Sequence, residues 1–446
     1  MRWHFIGVGG SGMSAVARLV AAKGVAVTGS DRGESLYFAA LRDAGMDVRV
    51  GHDRDVVEGA DAVVVSSAIR ESNPELERAR ERGIEVLHRS EALVWALQGL
   101  TLIAVAGSHG KTTTSAMTAR ALHGAGIDAS FAVGARVFGV DGAVAGGYAG
   151  ASEIAVVEAD ESDGSFLRYR PRIAIITSIE PDHLDYYGSV EALHEAFARF
   201  AASCEVLIAN GDDAVVSSVA ADAAAGGVRV VTYGVRHHND IVVLADGVTV
   251  SGAFFPMDIP LPGMHNRLNA AAAWAAAVEA GADPARAAHA LAQFGGTGRR
   301  FQLRGEVNGV RVIDDYAHHP TEVAAVIAAA RAAGAEHLVV LFQPALFSRT
   351  RDHHAGFAAA LSVADADVVI APVHGDREDP IEGVNSGLIA AGISPRDGLT
   401  VTVADSLEEA AILSARGAHA GSTVLTVGSG TVTKAADWIL DELRRA

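Results

Sequence analysis

Cysteine is almost absent from this chain, and that absence excludes a fold stapled by disulfides: Cys204 stands alone among 446 residues. A lone thiol fits a reducing compartment. Lysine is nearly as scarce. Lys23, Lys111 and Lys434 are the three present, so 33 of the 36 basic residues are arginine and each lysine needs its own reason. Positive charge is outweighed by 54 acidic residues, for a formal net charge of −18. That balance argues against a nucleic-acid or anionic-membrane binder. Long apolar runs are missing too. No stretch reaches the ~18–20 uncharged residues of a membrane helix, and alanine-rich segments such as 270–277 are too short. The opening Met1-Arg2-Trp3-His4-Phe5-Ile6 runs straight into a strand-like segment, without the regions of a signal peptide. The expectation is a soluble cytoplasmic protein, a monomer or weak dimer, with no nucleic-acid partner and no membrane insertion.

Hydrophobic residues make up 50% of the chain and charged ones 20%, ample for real cores. At ~150 residues per domain the length predicts about three. The pattern agrees. Residues 4–8, 25–28, 47–50, 62–65 and 85–87 read as strands, and 14–23, 36–44 and 74–82 as helices. The rhythm restarts with a strand over 101–106 and a helix to about 122, then strands over 153–158, 172–177 and 206–208. Residues 240–255 alternate like a hairpin, and 267–280 form an alanine-rich helix. After Gly295-Gly296-Thr297-Gly298 a third series follows, with strands over 310–313, 337–341, 367–370, 399–403 and 423–427 and a closing helix over 433–445. This predicts an α/β protein of three domains (1–97, 98–297 and 298–446), each built on a largely parallel sheet. The first and third are Rossmann-like and the second is a P-loop-type ATPase domain.

Two glycine loops follow strands. Gly7-Val8-Gly9-Gly10-Ser11-Gly12 fits G-x-G-x-x-G, with Asp31 lying 19 positions further on. Such a loop lets a diphosphate approach the backbone at a helix N-terminus. A nicotinamide or flavin cofactor, another nucleotide diphosphate and a merely structural tight turn all satisfy that physics. The second, Ala106-Gly107-Ser108-His109-Gly110-Lys111-Thr112-Thr113-Thr114, joins a buried strand to a helix. Its backbone N–H groups form an anion nest, Lys111 offers a point charge to the β/γ-phosphates, and the Thr112 hydroxyl can ligate Mg²⁺. The bland alternative is a threonine-rich helix cap. Gly107 and Gly110 are separated by two residues, where the common P-loop has four. A compact ammonium suits phosphate contact where a guanidinium is too large, which explains a lysine in an arginine-rich chain.

Carboxylates follow. Glu158 ends the strand over 153–158, at the edge where open α/β sheets bind ligands, and is the candidate Mg²⁺ ligand beside Thr112. A solvated acidic loop is the plain alternative for Glu158-Ala159-Asp160-Glu161-Ser162-Asp163. His183 follows the next strand, is expected beside Glu158, and completes a possible second cation site; alone it would more often be a structural histidine.

These blocks resemble the Mur ligase family along essentially the whole chain. Further matches lie at Val65-Ser66-Ser67-Ala68-Ile69, Gly263-Met264-His265-Asn266-Arg267-Leu268-Asn269-Ala270, Arg299-Arg300-Phe301-Gln302 and Asp314-Asp315-Tyr316-Ala317-His318-His319-Pro320-Thr321-Glu322. The resemblance implies an ATP-dependent amide ligase of cell-wall precursor synthesis. ATP, with one or two Mg²⁺ ions, phosphorylates the lactyl carboxylate of UDP-N-acetylmuramate. L-alanine then attacks the acyl phosphate, and phosphate leaves through a tetrahedral intermediate. It also implies that the first loop holds UDP rather than NAD, through Gly9, Gly10, Ser11, Ser30, Asp31, Ser66, Ser67 and Ala68. Residues 106–113 would bind ATP, with Asn266 and Asn269 near adenine and Asp315 near the ribose. Lys111, Glu158, His183, Arg300 and His318 would be catalytic, with Thr112, Glu158 and His183 on metal. Tyr316, His318 and Arg349 would serve the amino acid.

Three departures qualify this. No lysine lies between Lys111 and Lys434 to be carbamylated, as in several members; the alanine-adding branch shares that lack. Ala345 stands where these ligases usually carry histidine, and Thr431 where they carry Asp or Asn. A sibling branch that recycles muropeptides lacks the Gly-Gly-x-Gly-Met arrangement. A different-class alternative, an NAD-dependent oxidoreductase, leaves Lys111, Glu158 and His183 without work.

Overall fold

The computed structural model describes residues 1–143, 146–362, 366–375, 378–394 and 397–445. They form two compact units, residues 1–260 with 265–295, and residues 261–264 with 296–446. Each is built from alternating apolar strands and one-sided helices, as the sequence rhythm predicts.

The first unit opens with β1 (Arg2–Ile6), α1 (Ser11–Ala22), β2 (Ala26–Asp31), α2 (Leu36–Asp43), β3 (Asp47–Val50), β4 (Ala62–Val65), α3 (Pro74–Glu81), β5 (Glu85–His88) and α4 (Arg89–Ala96). These strands form a parallel sheet in the order β3-β2-β1-β4-β5. The order in which strands are added reverses between β1 and β4, a switch point where open sheets leave a ligand crevice. Local chemistry sets the helix starts. Ser35 caps α2 by accepting from Phe38 N, and Asn73, followed by Pro74, caps α3.

The same unit continues with β6 (Thr101–Ala106), α5 (Lys111–Gly124), β7 (Ser130–Ala132), β8 (Gly147–Tyr148), β9 (Ile154–Glu158), β10 (Ile173–Ile176), α6 (Leu184–Tyr187), α7 (Val190–Ala201), β11 (Val206–Asn210), α8 (Ala214–Ala225) and β12 (Arg229–Gly234). It ends with β13 (Ile241–Val243), β14 (Gly247–Val250), β15 (Ala253–Pro256), α9 (Met264–Glu279) and α10 (Pro284–Ala292). The sheet order is β15-β14-β13-β12-β11-β10-β6-β9-β7-β8, with β6 and its neighbours parallel and buried. The expected hairpin is the antiparallel run β13-β14-β15. Cys204 is buried beyond α7; its thiol donates to Ala201 O, and burial pushes it up to about 11.

The second unit holds β16 (Gln302–Val307), β17 (Val310–Asp315), α11 (Pro320–Ala332), β18 (His337–Phe342), α12 (Phe347–Ser362), β19 (Asp367–Ile370), α13 (Ser386–Ala391), β20 (Thr400–Val403), α14 (Leu407–Gly417), β21 (Ser422–Val427) and α15 (Thr433–Arg445). Its sheet runs β16-β17-β21-β18-β19-β20 and is parallel apart from the β16 edge. Separate apolar clusters cover its two faces, one centred on Phe342 and Phe357 and the other on Val312 and Ile439. No helix among the described residues is long and apolar enough to cross a membrane.

Candidate active site

β6 lies in the central sheet between β10 and β9, so the loop leaving it opens where both neighbours end. Gly107 holds φ +135°, and a Cβ there would lie 2.1 Å from Thr177 Oγ1, so glycine is required. Ser108 N donates to Ser178 O (2.9 Å), and His109 N to Ser178 Oγ (3.2 Å). The Ser108 hydroxyl accepts from Glu180 N at 2.8 Å. Gly110, at φ +81°, starts α5, and a Cβ on it would meet Asn269 Oδ1 at 2.6 Å. No side chain caps that helix start. The uncapped positive end of α5 opens there, a ready anion site.

Charge is arranged in two pairs around it. Thr112 Oγ1 donates to Glu158 Oε1 at 2.8 Å, while Gly134 N holds Glu158 Oε2 at 2.7 Å. Lys111 Nζ donates to Gly107 O (2.7 Å) and Glu161 Oε1 (2.9 Å). Burial works against the ammonium, but Glu161 and then Asp160 outweigh it and raise its pKa above that of ordinary lysine. Asp160 is half-buried, and Arg89 and Lys111 hold its carboxyl well below the usual range. His183 has φ 55°, a conformation uncommon outside glycine and often found at functional sites. Its Nε2 lies 3.5 Å from Asp182 Oδ2 and 3.9 Å from Glu161 Oε1. The structure therefore corrects one expectation: the carboxylate near His183 is Glu161, in the loop three residues beyond the end of β9, while Glu158 at the strand end is taken by Thr112.

The first loop is built differently. Gly7, at φ +77°, and Val8 both donate to Ser30 O (2.8 and 3.0 Å). Gly9 N donates to Asp31 Oδ2 (2.9 Å), so in this state that amide is committed to the chain's own carboxylate. The Ser30 side chain is also committed, its hydroxyl donating to buried Glu75 at 2.5 Å; its carbonyl is what faces the loop. Gly10 and Ser11 lead into α1 with no capping side chain. A Cβ on Gly12 would lie 2.7 Å from an Arg89 guanidinium nitrogen, and the Arg89 Nη2 donates to Asp160 at 2.8 Å. Ser66, Ser67 and Ala68 form the turn after β4; Ile69, which follows, would touch a Cβ on Gly7 at 3.0 Å.

Other expected residues fall in the second unit. Asp315 is buried and ties down backbone: Phe301 N reaches Oδ2 at 2.7 Å and Ala317 N reaches Oδ1 at 2.8 Å. Burial pushes it up to about 6, against the pull of Arg300. Each oxygen accepts one backbone N–H, which leaves acceptor capacity on both. Arg300 lies over the Tyr316 ring at 5.3 Å and 4.0 Å from Glu322. His318 Nδ1 is 3.3 Å from Glu322 Oε2. Arg299 instead donates to Gly428, Ser429 and Gly430 carbonyls. Arg349, in the first turn of α12, has no hydrogen bond or ion pair among the described residues. Asn269, expected near adenine, sits against Gly110 at the phosphate loop, with Asn266 one turn earlier on α9.

Sequence reasoning missed Arg89, Asp160, Glu161 and Thr177. The acidic run 158–163 was the available signal for two of them. Arg89 pairs across 71 residues, a relation that no local pattern carries.

A parallel sheet with a glycine–lysine–threonine loop and a strand-end carboxylate on the threonine defines a phosphate-handling nucleotide enzyme. The comparisons narrow this. Residues 2–99 match the model of the Mur ligase family catalytic domain, 105–277 the Mur ligase middle domain, and 299–430 the Mur ligase glutamate ligase domain. The UDP-N-acetylmuramate–L-alanine ligase of Renibacterium salmoninarum is 49% identical over 99% of this chain and 96% of its own. That of Paenarthrobacter aurescens is 48% identical over 99% and 97%. Among solved structures, the UDP-N-acetylmuramate–alanine ligase of Thermotoga maritima superposes with a TM-score of 0.83 at 27% identity, covering 100% of this chain and 99% of that one. The chain belongs to the Mur ligase family.

Proposed function

We infer that this enzyme joins L-alanine to the lactyl carboxylate of UDP-N-acetylmuramate at the expense of ATP, in peptidoglycan precursor synthesis. The observation that carries the reading is the end-to-end 49% identity to a ligase with that named activity. In such a chain the Lys111 and Thr112 pairs stand at the centre of the ATP loop. The NAD-dependent alternative loses its support with the family established.

We assign residues 1–97 to the UDP-sugar, 98–297 to ATP and 298–446 to the amino acid. ATP would lay its phosphates at the start of α5, on the amides of residues 110–113. Lys111 would exchange part of its contact with Glu161 for phosphate oxygens, holding them without covalent chemistry, as phosphoryl transfer requires. Thr112 Oγ1 and Glu158 Oε1 are hard oxygen donors already 2.8 Å apart, a set that suits Mg²⁺. Bound there, that ion would neutralise phosphate charge. His183 with Glu161 offers a second such pair. The lactyl carboxylate would become an acyl phosphate by taking the γ-phosphoryl group. The alanine amine would then displace phosphate, losing a proton. Arg300 and His318 would serve the phosphate and amine sides. Asp31 and the α1 N-terminus would order the UDP diphosphate.

The test is phosphate release from ATP and UDP-N-acetylmuramate across a panel of amino acids. Release that depends on L-alanine supports the assignment. Release that depends instead on a muropeptide-type tripeptide would move the chain to the recycling branch.

A further inference from the structure

One imidazole in the second unit is held in place without any evident use. His374 lies four residues beyond the end of β19. Its backbone is clamped on both sides: His374 N donates to Pro344 O at 2.8 Å, and Leu346 N donates to His374 O at 2.9 Å. These bonds form a parallel bridge between His374 and Ala345. Bridged residues carry their side chains to the same side of the sheet, about 5 Å apart. Beside the imidazole, then, stands the buried methyl of Ala345. The ring itself rests on Gly430, where a Cβ would lie 2.8 Å from His374 Cδ2. Glycine at 430 is what allows this approach. The ring nitrogens have no hydrogen-bond or ion-pair partner among the described residues, although the ring is half-buried. Neighbouring polar groups are spoken for: the Gln343 amide is used by Val432 N (2.8 Å) and Thr431 Oγ1 (3.3 Å).

Arg349 is in the same condition one helical turn after Ala345. The start of α12 already has an anion, because Glu378 accepts from Ser348 N (2.9 Å) and Ser348 Oγ (2.5 Å). Glu378 also pins the loop that carries His374. Among the described residues neither the Arg349 guanidinium nor the His374 imidazole, near the ends of β18 and β19, has a partner, and Ala345 is bridged to His374. A guanidinium matches a carboxylate, and an imidazole can take a second polar contact from an α-amino acid head.

We propose that His374 is a substrate-contacting residue of the amino-acid site, working beside Arg349 on the polar head of L-alanine. The proposal rests on the ligase reading above, and the measurement separates the two. Phosphate release by the full-length enzyme is followed while L-alanine, ATP and UDP-N-acetylmuramate are varied in turn. His374→Ala is expected to raise the KM for L-alanine about tenfold, the scale of one lost hydrogen bond, and to leave the other two KM values within twofold. If its thermal midpoint drops, His374→Gln is measured instead with the same expectation. Returning an imidazole from the bridged position, as Ala345→His in His374→Ala, should bring the L-alanine KM back towards wild type. An unchanged L-alanine KM, an equal rise in all three, or a folded double variant that stays at the His374→Ala value would overturn the proposal. A wild-type enzyme with no alanine-dependent release would instead overturn the ligase reading.

Discussion

The first unit contains two strand–glycine–helix loops that are nearly interchangeable as text and differ as structures. The loop at Gly7–Gly12 is closed on its own chain: Asp31 takes the Gly9 amide, and Arg89 fills the space over Gly12. The loop at Gly107–Thr113 is tied from beneath by Thr177, Ser178 and Glu180, which leaves its charged residues facing one another in pairs. In the proposed assignment the first loop recognises and the second reacts. Glycine spacing alone does not separate them, because any diphosphate satisfies it. The separating feature is a lysine and two carboxylates, Glu158 at the end of β9 and Glu161 in the loop beyond it.

Substitutions can break that contrast. Lys111→Ala should have the largest effect, lowering phosphate release by about 10³-fold or more in a steady-state assay. Glu158→Gln should follow at about 10²-fold, with a higher Mg²⁺ concentration needed for half-maximal rate; an unaltered Mg²⁺ requirement would count against its place beside Thr112. Arg89→Ala sharpens the comparison differently, since Arg89 lies against the first loop and also holds Asp160, whose charge acts on Lys111 of the second. It should weaken the UDP-sugar and ATP together, each by a few-fold to tenfold in calorimetric titration. A loss confined to one ligand would show that the link is inert.

The smallest expected effect is a control in the second unit. Burial raises Asp315 from 3.8 to about 6, so the folded state prefers it protonated. Its contribution is present below about pH 4 and is lost as pH rises through about 6, ~3 kcal/mol at most. Wild-type thermal midpoints should therefore decline over that window more steeply than those of Asp315→Asn. Parallel curves would contradict the assignment.

Much of the fold was legible. The strands Asp47–Val50, Ala62–Val65, Thr101–Ala106 and Asp367–Ile370 lie where apolar runs between turn residues put them, as does the helix Thr433–Arg445. Helix α4 was not, because it follows β5 with no glycine or proline between; His88 serves as its cap through the side chain and Glu91. The two-residue strand β8 is too short for any periodicity. In the site, Lys111, Thr112 and Glu158 were readable from residue type and strand-end position. The partner of His183 was not, since Glu161 lies in the loop beyond the strand end rather than on it. Asp315 and Asn269 were named from the family resemblance alone; Asp315 accepts two backbone N–H groups and Asn269 packs against Gly110.

The central claim is that the two loops hold different nucleotides independently, and one calorimetric experiment addresses it directly. ATP and UDP-N-acetylmuramate are titrated separately into Lys111→Ala and Asp31→Asn. The account predicts a crossed result: Lys111→Ala loses ATP and keeps UDP-N-acetylmuramate within about twofold, and Asp31→Asn does the reverse. Loss of both ligands in either folded variant, or loss of the same ligand in both, would contradict it.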